Sequence, residues 1–269
     1  MTRRTGGGAE PRVRYGGDGP PVPLLRGRPR THATWHRVAT LPTAAGRTVV
    51  RPGPRGHGES SKPPADRGHR PYSEGAVAGD RLAPMRGPGH ERFAVVGRDR
   101  GAYVATRLAP DHPGAVSALS VLDAVPLGEA PRRYDAKFAL SRWHWFFLAR
   151  TDKPAERIIG ADPDAWYGGT PEQMDVEAYE DHRAGPGVDR RHDADRRAGR
   201  RIGCPLRVLW ATRDDMAGLY GDVLEVGRGR ARGPLEGGPV VPGRHIAEEA
   251  PEALVTGLRE FWKAADGPA

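Results

Sequence analysis

Cysteine is almost missing from this chain of 269 residues, and long apolar runs are absent. The single cysteine, Cys204, excludes a disulfide framework within the chain, and this predicts a cytoplasmic protein in a reducing compartment. No run approaches the roughly 18 apolar residues of a membrane span, so we expect no membrane partner. Residues 1–10 lack an apolar segment after their arginines, and we therefore expect no secretory signal.

Large apolar side chains are also scarce. Leu, Ile, Val and Phe together supply 46 residues, whereas glycine supplies 37 and proline 27. The combined share of these four residue types lies below the roughly 20% at which charged chains tend towards disorder. The apolar residues are nevertheless clustered in short runs, and the chain is long enough to bury a core in one α/β domain, which favours a folded protein.

Positive charge is the most conspicuous excess. The chain has 42 Lys and Arg against 34 Asp and Glu, a formal net charge of +8. Such an excess can indicate nucleic-acid binding, but the arginines are dispersed and no nucleic-acid-binding module is visible. We therefore expect no nucleic-acid partner, and instead a small-molecule substrate, because a basic surface attracts small carboxylates. The sequence leaves open whether the protein forms a homodimer.

Short apolar runs predict a parallel sheet. The clearest strand is Phe93–Val96, followed by a helix over 102–109 and a strand over Val116–Leu122. Strand, helix and strand at this spacing form a βαβ unit. Further strands are predicted at Pro21–Leu25, Thr48–Val50, Leu206–Trp210 and Val240–Val241, and a closing amphipathic helix at Glu249–Ala264.

The middle of the chain differs in character from both ends. Residues 126–200 carry Trp143, Trp145 and Trp166 among long charged stretches. We interpret this segment as a helical cap inserted over the sheet. The predicted α/β core then consists of residues 1–125 and 201–269.

One short motif carries chemistry. Gly97, Asp99 and Gly101 form a G-x-D-x-G pattern between a predicted strand and a predicted helix, as in a nucleophile elbow. Small residues on both sides relieve the crowding of such a turn, and the helix N-terminus supplies positive potential. A carboxylate at this point stays ionised and can attack an sp³ carbon. Asp99 is therefore the predicted nucleophile.

The segment from about Leu24 to Pro126 resembles the haloacetate (fluoroacetate) dehalogenase family of the α/β-hydrolase fold. The matching pieces are RTHATWHRV at 30–38, RGHGESSKP at 55–63, GRDRGA at 97–102, LD at 122–123 and WHW at 143–145. In this family the elbow aspartate displaces halide from an α-carbon, and a histidine-activated water hydrolyses the resulting ester. The resemblance implies a mostly parallel sheet flanked by helices, with a shortened helical cap.

The resemblance also assigns the catalytic groups. It makes Asp99 the nucleophile, Asp123 the acid that orients the histidine, and His245 the base. In other hydrolases of this fold the acid lies after a later strand, which here points to Asp214 or Asp215.

The remaining matches concern the substrate. Arg100 matches the arginine that holds the substrate carboxylate, and Tyr103 stands where the family often has a second arginine. His144 and Trp145 match hydrogen-bond donors to the leaving halide. His182 stands in the place of a third donor, usually tyrosine.

The backbone N–H groups of Arg28 and Arg100 would form the oxyanion hole. The sequence departs from the family at two further positions near the reaction. Arg98 precedes the nucleophile where the family usually has histidine. Counting back from the glutamate pair without a gap puts Arg244 in the place of the catalytic histidine, whereas loss of one loop residue puts His245 there.

Two alternatives stay open beside the dehalogenase. One is an epoxide hydrolase-like enzyme of the same fold, and the other is a catalytically degenerate α/β-hydrolase-like protein. The chain contains no Walker loop, no GxGxxG after a strand, no CxxC pair and no HExxH. We therefore expect neither a cofactor nor a metal.

Overall fold

The computed structural model describes residues 9–27, 32–44, 46–56, 60–64, 70–86, 91–125, 133–148, 199–240 and 245–266, with a few positions between 157 and 165. The strands are β1 Val13–Gly16, β2 Pro21–Leu25, β3 Thr48–Pro52, β4 Phe93–Arg98, β5 Val116–Leu122, β6 Leu206–Ala211 and β7 Leu235–Val240. The helices are α1 His36–Ala44, α2 Glu74–Arg86, α3 Arg100–Asp111, α4 Ala136–Ser141, α5 Trp143–Leu148, α6 Met216–Tyr220, α7 Val223–Arg228, α8 Ile246–Glu249 and α9 Pro251–Asp266. Short 3-10 helices cover His32–Trp35 and Arg70–Tyr72.

The described strands form one sheet of seven, in the order β1-β3-β2-β4-β5-β6-β7. β1 is antiparallel to β3, and all the other pairings are parallel. Helix α3 connects β4 to its parallel neighbour β5, as predicted for a βαβ unit. The predicted fold class, a mostly parallel sheet flanked by helices, is confirmed.

Apolar side chains cover both faces of the sheet. On one face, α1 contributes Val38, and α9 contributes Leu254, Leu258 and Trp262, to a buried cluster that also contains Trp35. On the other face, α2 and α3 contribute Ala78, Leu82, Met85, Val104 and Leu108 to a second cluster. Both faces of the central strands are therefore dry, which explains why their residues are mostly apolar.

Strand β7 and helix α2 differ from the prediction. The last strand is β7, Leu235–Val240, and begins five residues before the predicted Val240–Val241. Its Gly237, Gly238 and Pro239 are poor strand formers, and its pairing with β6 in a full parallel register makes it a strand. Helix α2 was not predicted at all, because its glycines and Pro84 obscure the apolar period.

Helices α4 and α5 lie between β5 and β6 in the chain, within the predicted cap. Phe138 of α4 is buried, and its ring lies 5.9 Å from that of Tyr220. Most of residues 149–198 lies outside the described residues, so the division into core and cap stays a prediction. Among the helices that the structure describes, none is both long and apolar enough to cross a membrane.

A buried ion pair fixes the loop that follows β3. Arg55 Nε donates to Asp80 Oδ2 on α2 over 2.7 Å, and Arg55 Nη1 donates to the carbonyl of Pro71 over 2.7 Å. The two charged side chains are only 6% and 1% exposed. Neighbouring Arg81 is also buried, and burial lowers its pKa to about 10 against the opposing charge of Asp80. Asp80 therefore compensates two buried cations.

Replacing Asp80 with Asn should lower the free energy of unfolding by about 3–5 kcal/mol, because two buried guanidinium groups lose their carboxylate. Chemical denaturation followed by circular dichroism measures this loss. The matched control is Glu225→Gln, which removes the carboxylate of an exposed pair with Arg228 and should cost less than about 0.5 kcal/mol. Equal losses of unfolding free energy in the two variants would contradict the role of Asp80 in compensating buried charge.

Candidate active site

The backbone at Asp99 adopts the conformation of a nucleophile elbow. Its φ of 49° and ψ of −118° place a non-glycine residue in a region that L-amino acids rarely occupy. The Asp99 N–H donates to the carbonyl of Leu122 at the end of β5 over 3.1 Å, and the Asp99 carbonyl accepts from Ala102 N–H over 3.0 Å. The turn is thereby tied both to the sheet and to α3.

Three glycines permit this turn. A Cβ on Gly97 would lie 2.4 Å from the Gly101 carbonyl oxygen, and one on Gly101 would lie 2.2 Å from the Leu25 carbonyl oxygen. A Cβ on Gly27 would lie 2.3 Å from Asp99 Oδ2. The loop after β2 therefore passes directly beside the carboxylate, at the carboxyl edge of the sheet where ligands bind in α/β folds.

Two positive features adjoin Asp99, the N-terminus of α3 and the side chain of Arg100. Asp99 precedes the first turn of α3, a helix of 12 residues whose N-terminal N–H groups favour an anion. Arg100 is the first residue of that helix and is partly buried. Both features favour the binding of a small anion beside Asp99.

Asp123 lies at the carboxyl end of β5, again with a positive φ of 49°. Its Oδ1 accepts from the backbone N–H of Ala211 over 3.0 Å, and its Oδ2 accepts from Arg98 Nε over 2.9 Å. Burial raises the pKa of Asp123, and the charge of Arg98 opposes that rise. The acid that the sequence predicted thus meets an arginine.

His245 is joined to this acid through the same arginine. Its Nδ1 lies 2.7 Å from Arg98 Nη2, and its backbone N–H donates to Glu249 Oε1 over 3.0 Å. The alternative catalytic candidate, Arg244, lies outside the described residues. Asp123 and His245 are therefore brought together, but Arg98 stands between the acid and the ring.

The alternative acids have another partner. The Asp215 carboxylate accepts hydrogen bonds from Arg142 and from Ser141, both near the junction of α4 and α5. Burial raises the pKa of Asp214 to about 6, whereas hydrogen bonds from Asp214, Ser141 and Arg142 outweigh burial and lower the pKa of Asp215 to about 2. These acids attach the segment 136–148 to the end of β6.

His144 lies within electrostatic range of Asp99. Burial, reinforced by the charge of Arg142, lowers its pKa, and the charge of Asp99 opposes this shift. The imidazole is therefore neutral at neutral pH and carries one N–H donor. This state suits a hydrogen bond to a departing anion.

Tyr103 and Trp145 are placed differently. Tyr103 is buried on α3, where burial and then the charge of Asp99 raise its pKa well above 10, and it lines an apolar cavity with Val121 and Val208. Trp145 is partly buried, and its ring packs edge-on against Phe138 at 5.9 Å. Both side chains have packing contacts, and their substrate contacts stay predictions.

The other predicted positions, Arg28 and His182, lie outside the described residues. Among the residues that the structure describes, no cluster of His, Cys, Asp or Glu could hold a metal ion. The structure does describe the predicted site residues Asp99, Arg100, Asp123, His144 and His245.

Comparison with known proteins supports the same fold class as the sheet topology and the turn at Asp99. The profile of the alpha/beta hydrolase fold family matches residues 20–157. The chain is also 36% identical over 230 residues to a fluoroacetate dehalogenase from Burkholderia sp, covering 76% of this chain and 75% of that protein. The chain belongs to the α/β-hydrolase fold family.

Other proteins similar to this hydrolase are named as epoxide hydrolases or, more generally, as alpha/beta hydrolases. A soluble epoxide hydrolase from Corynebacterium sp. (strain C12) is 31% identical over 148 residues, covering 54% of this chain and 49% of that protein. The solved structure of a candidate alpha/beta hydrolase from Nostoc sp PCC 7120 superposes with a TM-score of 0.88 at 34% identity, covering 98% and 97% of the two chains. That of a candidate epoxide hydrolase from Pseudomonas aeruginosa gives 0.84 at 36% identity, covering 99% and 95%.

Sequence reasoning missed the part that Arg98 plays in this hydrolase. The residue was noted only as a departure from the family pattern, although a charged residue at the buried end of a strand requires a partner. Gly27 and Arg142 were also given no role. Their contacts join segments that lie far apart in the chain, and no local pattern indicates such contacts.

Replacing Gly97 with Ala should lower the free energy of unfolding by at least about 2 kcal/mol, since the new methyl group meets rigid backbone at the elbow. Thermal and chemical denaturation of the purified hydrolase test this. Gly79→Ala serves as the control, because nothing lies within 4 Å of a Cβ at this helical position. That variant should gain up to about 1 kcal/mol from helix propensity. A Gly97→Ala protein as stable as the wild type would refute the elbow geometry.

Proposed function

We propose that this hydrolase cleaves the carbon–halogen bond of a haloacetate-like acid through an ester of Asp99. The observation that carries the proposal is the strained turn that presents a carboxylate, rather than a hydroxyl, beside Gly27 and Arg100. The similarity to a fluoroacetate dehalogenase over three quarters of both chains supports the same substrate class.

In the first half of the reaction, an Asp99 carboxylate oxygen attacks the α-carbon of the substrate. A C–O bond forms as the carbon–halogen bond breaks, and the halide leaves with the bonding electrons. A carboxylate is a suitable nucleophile for such an sp³ carbon. The neutral His144 imidazole and the Trp145 indole are the proposed N–H donors to the departing halide.

Arg100 is proposed to bind the substrate carboxylate. A guanidinium next to the nucleophile can hold a small acid by charge-assisted hydrogen bonds, with its α-carbon in position for attack. The positive end of α3 adds to this attraction. Both features favour a substrate with a negative charge close to the reacting carbon.

In the second half, water hydrolyses the ester at the Asp99 carboxyl carbon. His245 is the proposed base that takes a proton from this water, and the N–H groups of Arg28 and Arg100 are the proposed oxyanion donors. The products are a 2-hydroxy acid and a regenerated Asp99. Asp123 is the proposed acid that supports the histidine.

An epoxide hydrolase is the second candidate, because relatives with that name match half of the chain. The same aspartate could open an epoxide, so the nucleophile does not distinguish the two reactions. The position of Arg100 beside Asp99 favours the anionic substrate, since an uncharged epoxide does not need a guanidinium at this point.

Asp99→Asn should lower halide release from chloroacetate by at least about 10³-fold, because the amide is not a nucleophile. Halide release measured together with intact mass checks this. The wild type should also form a covalent adduct that peptide mapping locates at Asp99. Turnover of styrene oxide without halide release from any haloacetate would favour the epoxide hydrolase, and neither activity in folded protein would overturn both.

Arg100→Gln should lower kcat/KM for chloroacetate by about 10²-fold, because charge-assisted hydrogen bonds of this kind contribute about 1.5–3 kcal/mol. Reactivity with the uncharged chloroacetamide should be low in both proteins and change little. Arg107→Gln is the matched control on the same helix, where the native side chain pairs with Asp111 away from the nucleophile. An equal loss with both substrates would argue against carboxylate binding by Arg100.

A further inference from the structure

Three polar side chains form a linear series behind the nucleophile. Arg98 Nε donates to Asp123 Oδ2 over 2.9 Å, and Arg98 Nη2 lies 2.7 Å from His245 Nδ1. The side chains of Arg98 and Asp123 are only 7% and 3% exposed, so water screens their charges weakly. A single guanidinium therefore contacts both the acid and the ring nitrogen of the histidine.

This contact determines where the histidine carries its proton. A guanidinium has donors and no acceptor, so His245 Nδ1 must accept the hydrogen bond from Arg98. A neutral imidazole then carries its one proton on Nε2. The lone pair that a general base needs is consequently directed at Arg98 and not at water.

The charge of Arg98 acts in the same direction. When a histidine accepts a proton from water, it becomes an imidazolium, and a neighbouring carboxylate stabilises that cation. A neighbouring guanidinium disfavours it instead, because like charges repel. The Asp123 carboxylate already compensates Arg98, so its negative charge is shared with a group other than the ring.

We infer that Arg98 is a positioning residue that holds His245 in the Nε2–H tautomer and makes ester hydrolysis the slow half of the reaction. This inference rests on the proposed function. Formation of the Asp99 ester transfers no proton, so Arg98 does not hinder the release of the first halide. Hydrolysis requires water to lose a proton as it adds to the ester carbon, and that proton is later returned to the departing hydroxy acid.

Rapid mixing with chloroacetate separates the two halves. The wild type should release one equivalent of chloride in a burst and then turn over at least about 10²-fold more slowly, since the wrong histidine tautomer slows a comparable triad by about 10⁴-fold. Intact mass taken during the slow phase should show most of the protein as the ester. Linear chloride release without a burst, with no adduct, would overturn the inference and leave the proposed function intact.

Two substitutions test the role of the charge. Arg98→Gln keeps a donor for Asp123 but removes the positive charge, and it should speed the slow phase by at least about tenfold with the burst unchanged. Arg98→Lys keeps the charge and should stay slow. Arg107→Gln controls for loss of any arginine. If Arg98→Gln folds as judged by circular dichroism and its slow phase does not speed up, the inference is wrong.

Nitrogen-15 NMR of the histidine side chains tests the same contact without any substrate. The His245 signals, identified by their loss in His245→Gln, should show a proton on Nε2 in the wild type. A proton on Nδ1 would overturn the inference whatever the kinetics. If neither halide nor adduct appears, the proposed function and with it the slow ester hydrolysis fall, and the NMR reading decides whether Arg98 still holds the ring.

Discussion

The turn at Asp99 is the constraint on which the rest of the site depends. A positive φ at a residue other than glycine costs about 1–3 kcal/mol, and the surrounding structure must supply that energy. It does so through the Asp99 N–H bond to Leu122 and through the contact of Gly101 with the backbone of β2. Because the turn is tight, α3 begins at once, and its positive end lies at the carboxylate.

The two arginines that flank Asp99 in the sequence have different surroundings. Arg98 ends a buried strand, and its guanidinium contacts Asp123 and His245 behind the nucleophile. Arg100 begins helix α3 and is only partly buried, and it is the group proposed above to bind the substrate carboxylate. Asp99 is therefore flanked in the sequence by two cations, of which Arg98 is paired with the buried acid Asp123.

The fold followed from the sequence wherever apolar runs were continuous. Strands β4 and β5 were predicted because both are buried on two faces and consist mostly of apolar residues. Helix α9 was predicted from its apolar period within two residues at each end. Strand β7 and helix α2 were not, since glycine and proline in each weaken the local signal and long-range pairing and packing compensate for it.

By itself the sequence determined the position of the tight strand-to-helix turn at Asp99, because glycines at 97 and 101 around an aspartate fit a turn that bulkier residues could not make. It also located Asp123 at the end of its strand and Arg100 beside Asp99. Only the tertiary structure decided that Arg98 joins Asp123 to His245, a contact spanning 147 residues of chain. Sequence patterns report local conformation and burial, whereas the partner of a buried charge is set by which distant side chain the packed sheet brings within hydrogen-bond reach.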